Sequence, residues 1–453
     1  MSYRILMLTS TWDSEYSKAI IAGVLERIGD EDIELHIFNA YDDYQESGFF
    51  LKGREIYSLP EPDMYDGLIV ALNTIDSVRY VRDITEEFHS HGRPIVGVDI
   101  REENAMFCGL DNYRSMYNLV EHMITIHDCR MLNYLGGPED NPENIERYRA
   151  FCDCLDAHGI KPEKKRVIHG IFRRSSGIDA YREWKERGVN MADAVMCAND
   201  YMALGYAEAA QKDSVTIPDY TKVTGFDNID DAQKYSPSIT SVNRNRKSLG
   251  YESMDMLLEA LNGNAEFDTR FVEGYIAFNE SCGCDLTRDI RNDYIRVVEK
   301  AKKESEINYR QTFIRQMLNQ TRTMDEFPKA LSKCKEVLDI KDMAVCLNES
   351  FFDLGTDNER TGYDDGILIY TDEGKETISR KEHLIPEKWR GKQKTFLFAS
   401  LRNSDQTYGY MVMPYDSDFF IRLRHRTLLE GLSLSLENIR QRYIISILKE
   451  MER

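Results

Sequence analysis

The chain has 453 residues, 42% of them hydrophobic and 11% aromatic, with a formal net charge of −20. Such a length predicts two or three domains rather than one core, and the apolar content excludes general disorder. The acidic balance argues against a broad nucleic-acid surface, which needs a basic face, and no run approaches the roughly 18 apolar residues of a membrane span.

Residues 5–8 are too few for the apolar core of a signal peptide. The nine cysteines are odd in number and scattered, so a reduced, cytoplasmic chain is expected. Taken in order, residues 3–8 read as a buried strand and 17–28 as a helix built around Gly23. The polar loop between them carries Trp12, Ser14 and Tyr16. Strands follow over 34–38, over 67–72 before Asn73, and over 94–98 before Asp99, with a helix over 77–89. This alternation predicts a parallel sheet covered on both faces. A second series runs helix 113–126, strand 131–135, a turn at Gly136-Gly137-Pro138, helix 144–158, strand 166–169 and helix 177–187. Next, the strand 194–197 hands over at Asn199 and Asp200 to a helix over 201–210, and the strand 222–226 ends at Asp227. Segments 239–242 and 249–261 return the chain. Two α/β lobes of this kind predict a hinged pair, with ligand taken in the crevice beyond the strand ends.

The stretches YDGLIVALN from Tyr65, GRPIVGVD from Gly92, LDNYRSMYNLVEHM from Leu110, ANDYMALG from Ala198 and VTGFDNIDDAQKYSPSITSV from Val223 occur in that order. They resemble the type I periplasmic-binding-protein fold, in the branch containing the ribose-binding protein and the ligand-binding cores of lactose-repressor-type regulators. The resemblance covers about residues 2–278 and implies a two-lobed α/β domain over 1–285. It also implies a pocket. Asn199 and Asp227 match positions that hydrogen-bond sugar hydroxyls, Asn73 and Asp99 match polar contacts of the other lobe, and Arg147 in ERYRAF matches a ligand-gripping arginine. Trp12, Ser14 and Tyr16 fall in the first loop, which lines the cleft, and Phe172 falls near a stacking aromatic. Amides, carboxylates and aromatic faces together suit a polyol. Asn199 and Asp227 also read as helix caps, and Trp12, Tyr16 and Phe172 as core or hinge packing. One departure is Arg244, with Arg246 and Lys247 close by, where the sugar binders often carry a polar residue before the final crossover; it brings an anionic ligand such as a sugar acid or phosphate into view. Lactose-repressor-type regulators carry an amino-terminal helix-turn-helix, whereas this sequence opens almost directly on its first strand, so DNA binding by that route is not expected.

Cys152 and Cys154 sit two apart in a helix and point to different faces. Cys282-Gly283-Cys284 is a tighter pair, yet no second Cys or His cluster lies near it to complete a tetrahedral zinc site, so a plain structural role and no metal or cofactor are expected. Residues 286–323 read as an amphipathic, coiled-coil-like linker with apolar positions at Ile290, Tyr294, Val297, Ala301, Ile307, Ile314 and Met317. Residues 324–425 mix a helix and strands, with FLFASLRNSDQTYGYMVM before a last helix, and resemble a GAF-like α+β module. The acidic loops at Asp364, Asp365 and 416–418 lack the spacing of an EF-hand. Over 426–453, Leu429, Leu432, Leu436, Ile439 and Tyr443 step as a short heptad seam suited to a homodimer.

The whole layout, with its ESCGC junction, resembles the sensory half of bacterial diguanylate-cyclase-type signalling proteins. The expected function is a cytoplasmic sensor of a sugar-like small molecule that passes cleft closure through helices to a signalling or transcriptional output. The alternative is the regulatory part of a diguanylate cyclase whose catalytic domain is absent from this chain. A carbohydrate-active enzyme using Asp99 and Asp227 is a third reading, but no G-x-S-x-G, P-loop or H-E-x-x-H motif is present, so no catalysis is expected.

Overall fold

The computed structural model describes residues 2–10, 15–40, 51–72, 78–189, 192–264, 268–284, 290–353, 362–392, 394–403, 406–417 and 425–451. The chain opens with β1 (Tyr3–Ser10), α1 (Glu15–Ile28), β2 (Ile33–Ala40), β3 (Gly67–Ala71), α2 (Val78–Ser90), β4 (Ile95–Val98) and β5 (Met106–Leu110). It continues with α3 (Asn112–Thr125), β6 (Leu132–Gly136), α4 (Pro142–Ala157), β7 (Val167–His169), α5 (Arg174–Glu186), β8 (Ala194–Cys197), α6 (Asp200–Lys212), β9 (Lys222–Asp227), α7 (Asp230–Lys234) and β10 (Thr240–Asn243). There follow α8 (Arg246–Leu261), β11 (Thr269–Val272), β12 (Tyr275–Ala277), α9 (Ile290–Gln320), α10 (Phe327–Leu338), β13 (Ala344–Asn348), β14 (Gly366–Thr371), β15 (Gly374–Ser379), β16 (Thr395–Asn403), β17 (Gln406–Pro414) and α11 (His425–Met451). They divide into two compact units: residues 1–108, 247–270 and 291–453 form the first, and 109–246 with 271–290 form the second. Among the described residues no helix is long and apolar enough to cross a membrane.

The second unit holds a six-stranded sheet in the order β12-β10-β9-β8-β6-β7. It is parallel except for β12, which pairs antiparallel with β10. Crossover helices cover both faces, so β6 and β8 are buried throughout and read as continuous apolar runs rather than alternating ones. Helices α5 and α6 cross at backbone contact, since a Cβ on Gly177 would stand 2.0 Å from the Met202 carbonyl oxygen and one on Gly205 1.9 Å from that of Arg174. The first unit uses the same device between α1 and α8. There Gly23 faces the Lys247 carbonyl at 1.8 Å and Gly250 that of Ile20 at 2.0 Å.

The first unit departs from expectation in one respect. Its sheet has eleven strands in the order β11-β5-β4-β3-β1-β2-β16-β17-β13-β14-β15. Residues 344–414 do form antiparallel strands, but not as a module with its own sheet over 324–425. Instead β16 pairs parallel with β2, Phe398 opposite Phe38, and their rings stack with centroids 4.4 Å apart. One hydrophobic core runs from Leu6, Leu8 and Val70 through Phe38 and Phe398 to Tyr410 and Val412. The physical reason is β2 itself, an eight-residue strand buried along nearly its whole length, whose outer edge takes up another strand.

The carboxyl-terminal helix also differs from expectation. Leu429, Leu432, Leu436 and Ile439, read from sequence as a dimer seam, are buried within this unit. Ser433 Oγ accepts from Arg402 N on β16 (3.1 Å), and Ser435 Oγ donates to the Leu318 carbonyl of α9 (2.8 Å). Only Tyr443 of that set is exposed, at 44%.

Candidate ligand-binding site in the second unit

The positions of this unit expected to face a ligand gather at the carboxyl ends of its parallel strands, where the sheet hands over to helices. Asn199 follows β8 and is the N-cap of α6: its Oδ1 accepts from Met202 N (3.0 Å), while its Nδ2 donates to the Phe172 carbonyl (3.0 Å). The capping alternative therefore holds for this residue, and the same amide braces Phe172. That phenylalanine has φ 60°, and its ring lies so close to Gly137 that a Cβ there would stand 2.1 Å from it.

Asp200, next in sequence, is fully buried. Its carboxylate accepts from Ser241 Oγ (2.6 Å) and Ile229 N (2.7 Å), tying the β9 and β10 ends together. A Cβ on Gly225 would stand 1.9 Å from Asp200 Oδ1, so only glycine leaves room for this carboxylate. Burial first, and Asp227 second, push its pKa well above the ordinary 3.8.

Asp227 ends β9 at φ 102°, a conformation that L-residues rarely hold and that costs about 1–3 kcal/mol. Its Oδ1 lies 3.4 Å from Arg244 Nη1. Arg244 in turn holds both oxygens of Glu143, with Nη1 3.1 Å from Oε2 and Nη2 bonded to Oε1. Glu143 stands in the first turn of α4, after the cap Asn141 and Pro142. Arg147, four residues on, is 1% exposed. It donates to Glu143 Oε2 (2.9 Å), Asn112 Oδ1 (2.9 Å) and the Ala198 carbonyl (2.8 Å), and lies 3.8 Å over the Phe226 ring. Burial works against the charged form of Glu143, but the two guanidinium groups outweigh it and hold its carboxyl well below the usual range. The array balances two cations against two carboxylates. Arg244 is thus already paired within the wall.

The other expected positions belong to the first unit or fall outside the described residues. Tyr16 lies in the first turn of α1 and is buried. Asp99 follows β4 with φ 56°, its backbone N–H donating to the Cys108 carbonyl (2.8 Å). Trp12, Ser14 and Asn73 lie outside the described residues. Sequence reasoning missed Glu143, Asn112 and Asp200. The first had a signal, since Glu143 and Arg147 sit at i and i+4 of a helix; Asp200 was masked by its neighbour Asn199. A groove lined by Pro138, Glu139, Asp140, His169 and Gly170 opens at the ends of β6 and β7.

One expectation is overturned apart from this wall. Cys282 and Cys284 do have histidines beside them, because the fold brings His122 and His127 to within 4.8 Å of both sulfurs.

Strand ends, crossover helices and a polar wall of this kind define a binding-protein lobe, and residues 120–281 match the family model of the periplasmic binding protein-like domain. The chain therefore carries a periplasmic-binding-protein-like α/β domain. The HTH-type transcriptional regulator AscG of Escherichia coli (strain K12) is 28% identical over 185 residues, 40% of this chain and 54% of that protein. The HTH-type transcriptional regulator CelR of Thermobifida fusca is 27% identical over 191 residues, 42% of this chain and 55% of that one. The chain thus spans about half the length of these curated relatives. Among solved structures, the transcription regulator CcpA of Lactococcus lactis superposes with a TM-score of 0.50 at 20% identity, covering 62% of this chain and 99% of that one. These likenesses lend no support to the GAF-like reading of 324–425 or to a diguanylate-cyclase context.

Proposed function

We propose that this protein is a sensor that binds a neutral, polyhydroxylated small molecule at the carboxyl ends of β8, β9 and β10 and passes the bound state to a transcriptional output. The observation that carries the reading is the charge-compensated wall of Glu143, Arg147, Asp227 and Arg244. Fixed donors and acceptors that already neutralise one another hydrogen-bond the hydroxyls of a polyol, while an anion gains little from cations that are engaged. Asp227 is the position chosen for direct contact, because it ends β9 on a strained backbone and its Oδ1 is held only loosely, 3.4 Å from Arg244 Nη1. Asn199 and Arg147 act mainly by holding the wall in shape. The output rests on the relatives AscG and CelR, both HTH-type transcriptional regulators.

Thermal shift of the full chain against matched neutral sugars, sugar acids and sugar phosphates tests this. Neutral sugars are expected to raise Tm in the wild type, with the rise lost in Asp227→Ala. A shift given only by the acids and phosphates would sink the charge argument, and turnover of a bound sugar would replace the sensor with an enzyme.

A further inference from the structure

We propose that His122, His127, Cys282 and Cys284 form a structural zinc(II) site, which fastens the closing segment of the second unit to the carboxyl end of α3. His122 lies in the last turn of α3 and His127 just beyond its end. The cysteines come from the far side of the sequence, 157 residues from His127 and 162 from His122 in the case of Cys284. All four belong to the second unit.

The geometry converges on a point. His127 Nε2 is 3.1 Å from His122 Nε2 and 3.2 Å from Cys284 Sγ, which is 3.4 Å from His122 Nε2. A hydrogen-bonded cluster accounts poorly for this triangle. Three atoms at mutual angles near 60° do not accommodate three near-linear hydrogen bonds. A metal ion does satisfy them all at once. The corners of a triangle this size lie about 1.9 Å from its centre, so an ion about 1 Å off the plane sits at ~2.1 Å from each, the zinc–imidazole distance and about 0.2 Å short of a zinc–thiolate bond.

Cys282 Sγ supplies the fourth corner. It lies within 4.8 Å of the farthest of the other three ligand atoms, and a tetrahedron with these ligands has edges of about 3.3–3.8 Å, so a movement of roughly 1 Å completes it. Two features prepare the position. Gly283 adopts φ 94°, letting the cysteines on either side of it turn toward one centre. Thr240 Oγ1 lies 3.0 Å from Cys282 Sγ, placed to donate to a thiolate. The Phe278 ring packs on His122 with centroids 4.6 Å apart and walls the cluster on one side. Nitrogen and sulfur donors in a Cys2His2 set select zinc over magnesium or calcium, and four protein ligands leave no open position for catalysis.

The test uses the full chain, purified under reductant without metal-affinity chromatography. Elemental analysis after dialysis is expected to find about one zinc per chain. Cobalt(II) added to metal-stripped protein is expected to give the intense visible bands of tetrahedral coordination and a thiolate-to-cobalt charge-transfer band. Cys284 is exposed, so Cys284→Ser keeps the fold; it weakens metal binding more than about 100-fold, beyond what changes outside the ligand set produce. Cys152→Ser, on α4, leaves the stoichiometry unchanged. Any of three results overturns the site: no tetrahedral cobalt spectrum from reduced wild type, equal zinc in wild type and both Cys284→Ser and His127→Ala, or a Cys282–Cys284 disulfide in protein kept under reductant.

Discussion

The second strand of each lobe occupies the same place in its sheet, outside the first, yet the two have opposite fates. In the second unit that strand is β7, three half-buried residues at an edge. In the first it is β2, eight residues and almost wholly buried, and the sheet continues beyond it into β16 and four further strands. A short edge ends a sheet, whereas a long apolar edge invites more. One helix-strand pattern therefore gives a lobe whose sheet stops at a short edge and a lobe that becomes the attachment point of the carboxyl-terminal strands.

The largest expected effect attacks that continuity. Phe398→Ala removes the ring stacked on Phe38 and is expected to cost about 4 kcal/mol. Because the core is shared, hydrogen exchange should accelerate in β1–β3 as well as in β13–β17. Acceleration confined to β13–β17 would show that the carboxyl-terminal strands are a module of their own after all. Next, Arg147→Met breaks the second unit's wall by taking a guanidinium from the half-buried Glu143, at about 2 kcal/mol. Denaturant melts should show this loss while exchange in the first unit stays unchanged.

A smaller loss, about 1 kcal/mol, is expected for Asn199→Ala, which deletes the cap of α6 and the brace on Phe172. Asn199→Asp, which keeps the capping oxygen, should recover most of it; no recovery would move the weight from the cap to the brace. The smallest effect is a slope. Asp200 has a folded-state pKa raised above 3.8, so its neutral form is the one that stabilises. That contribution is full below 3.8 and is lost as pH rises through the folded value. Asp200→Asn should match the wild-type Tm in acid and exceed it increasingly toward neutral pH; a constant difference across pH would place the cost in hydrogen bonding instead.

Much of this was legible in the sequence. The strands before Asn199 and Asp227 stood out because apolar runs stopped at polar residues followed by helical spacing, and the structure places both where that pattern indicates. Strands β5, β11, β12 and β15 went unread because they are short or half exposed. The union of β2 with β16 could not be read locally, since neither strand's sequence names its partner. The partner of Arg244 was hidden for a similar reason: a cation in sequence is a charge, and only the fold shows Glu143 against it. The cysteine pair failed in the same way, its histidines being near in space and remote in sequence.

The pairing of β2 with β16 also sets a timetable for synthesis. Glu55 and Thr407, joined across this unit by a hydrogen bond, are 352 residues apart. At roughly 5–20 residues per second a ribosome needs about 20–70 s to travel that far. From Ala277 onward the second unit has every strand it requires, while β2, paired with β1 on one side, waits for β16 at its other edge. The nascent first unit is thus the stretch that calls for chaperone cover, and a slow codon run between β3 and β16 would prolong its exposure more than one placed anywhere after Pro414.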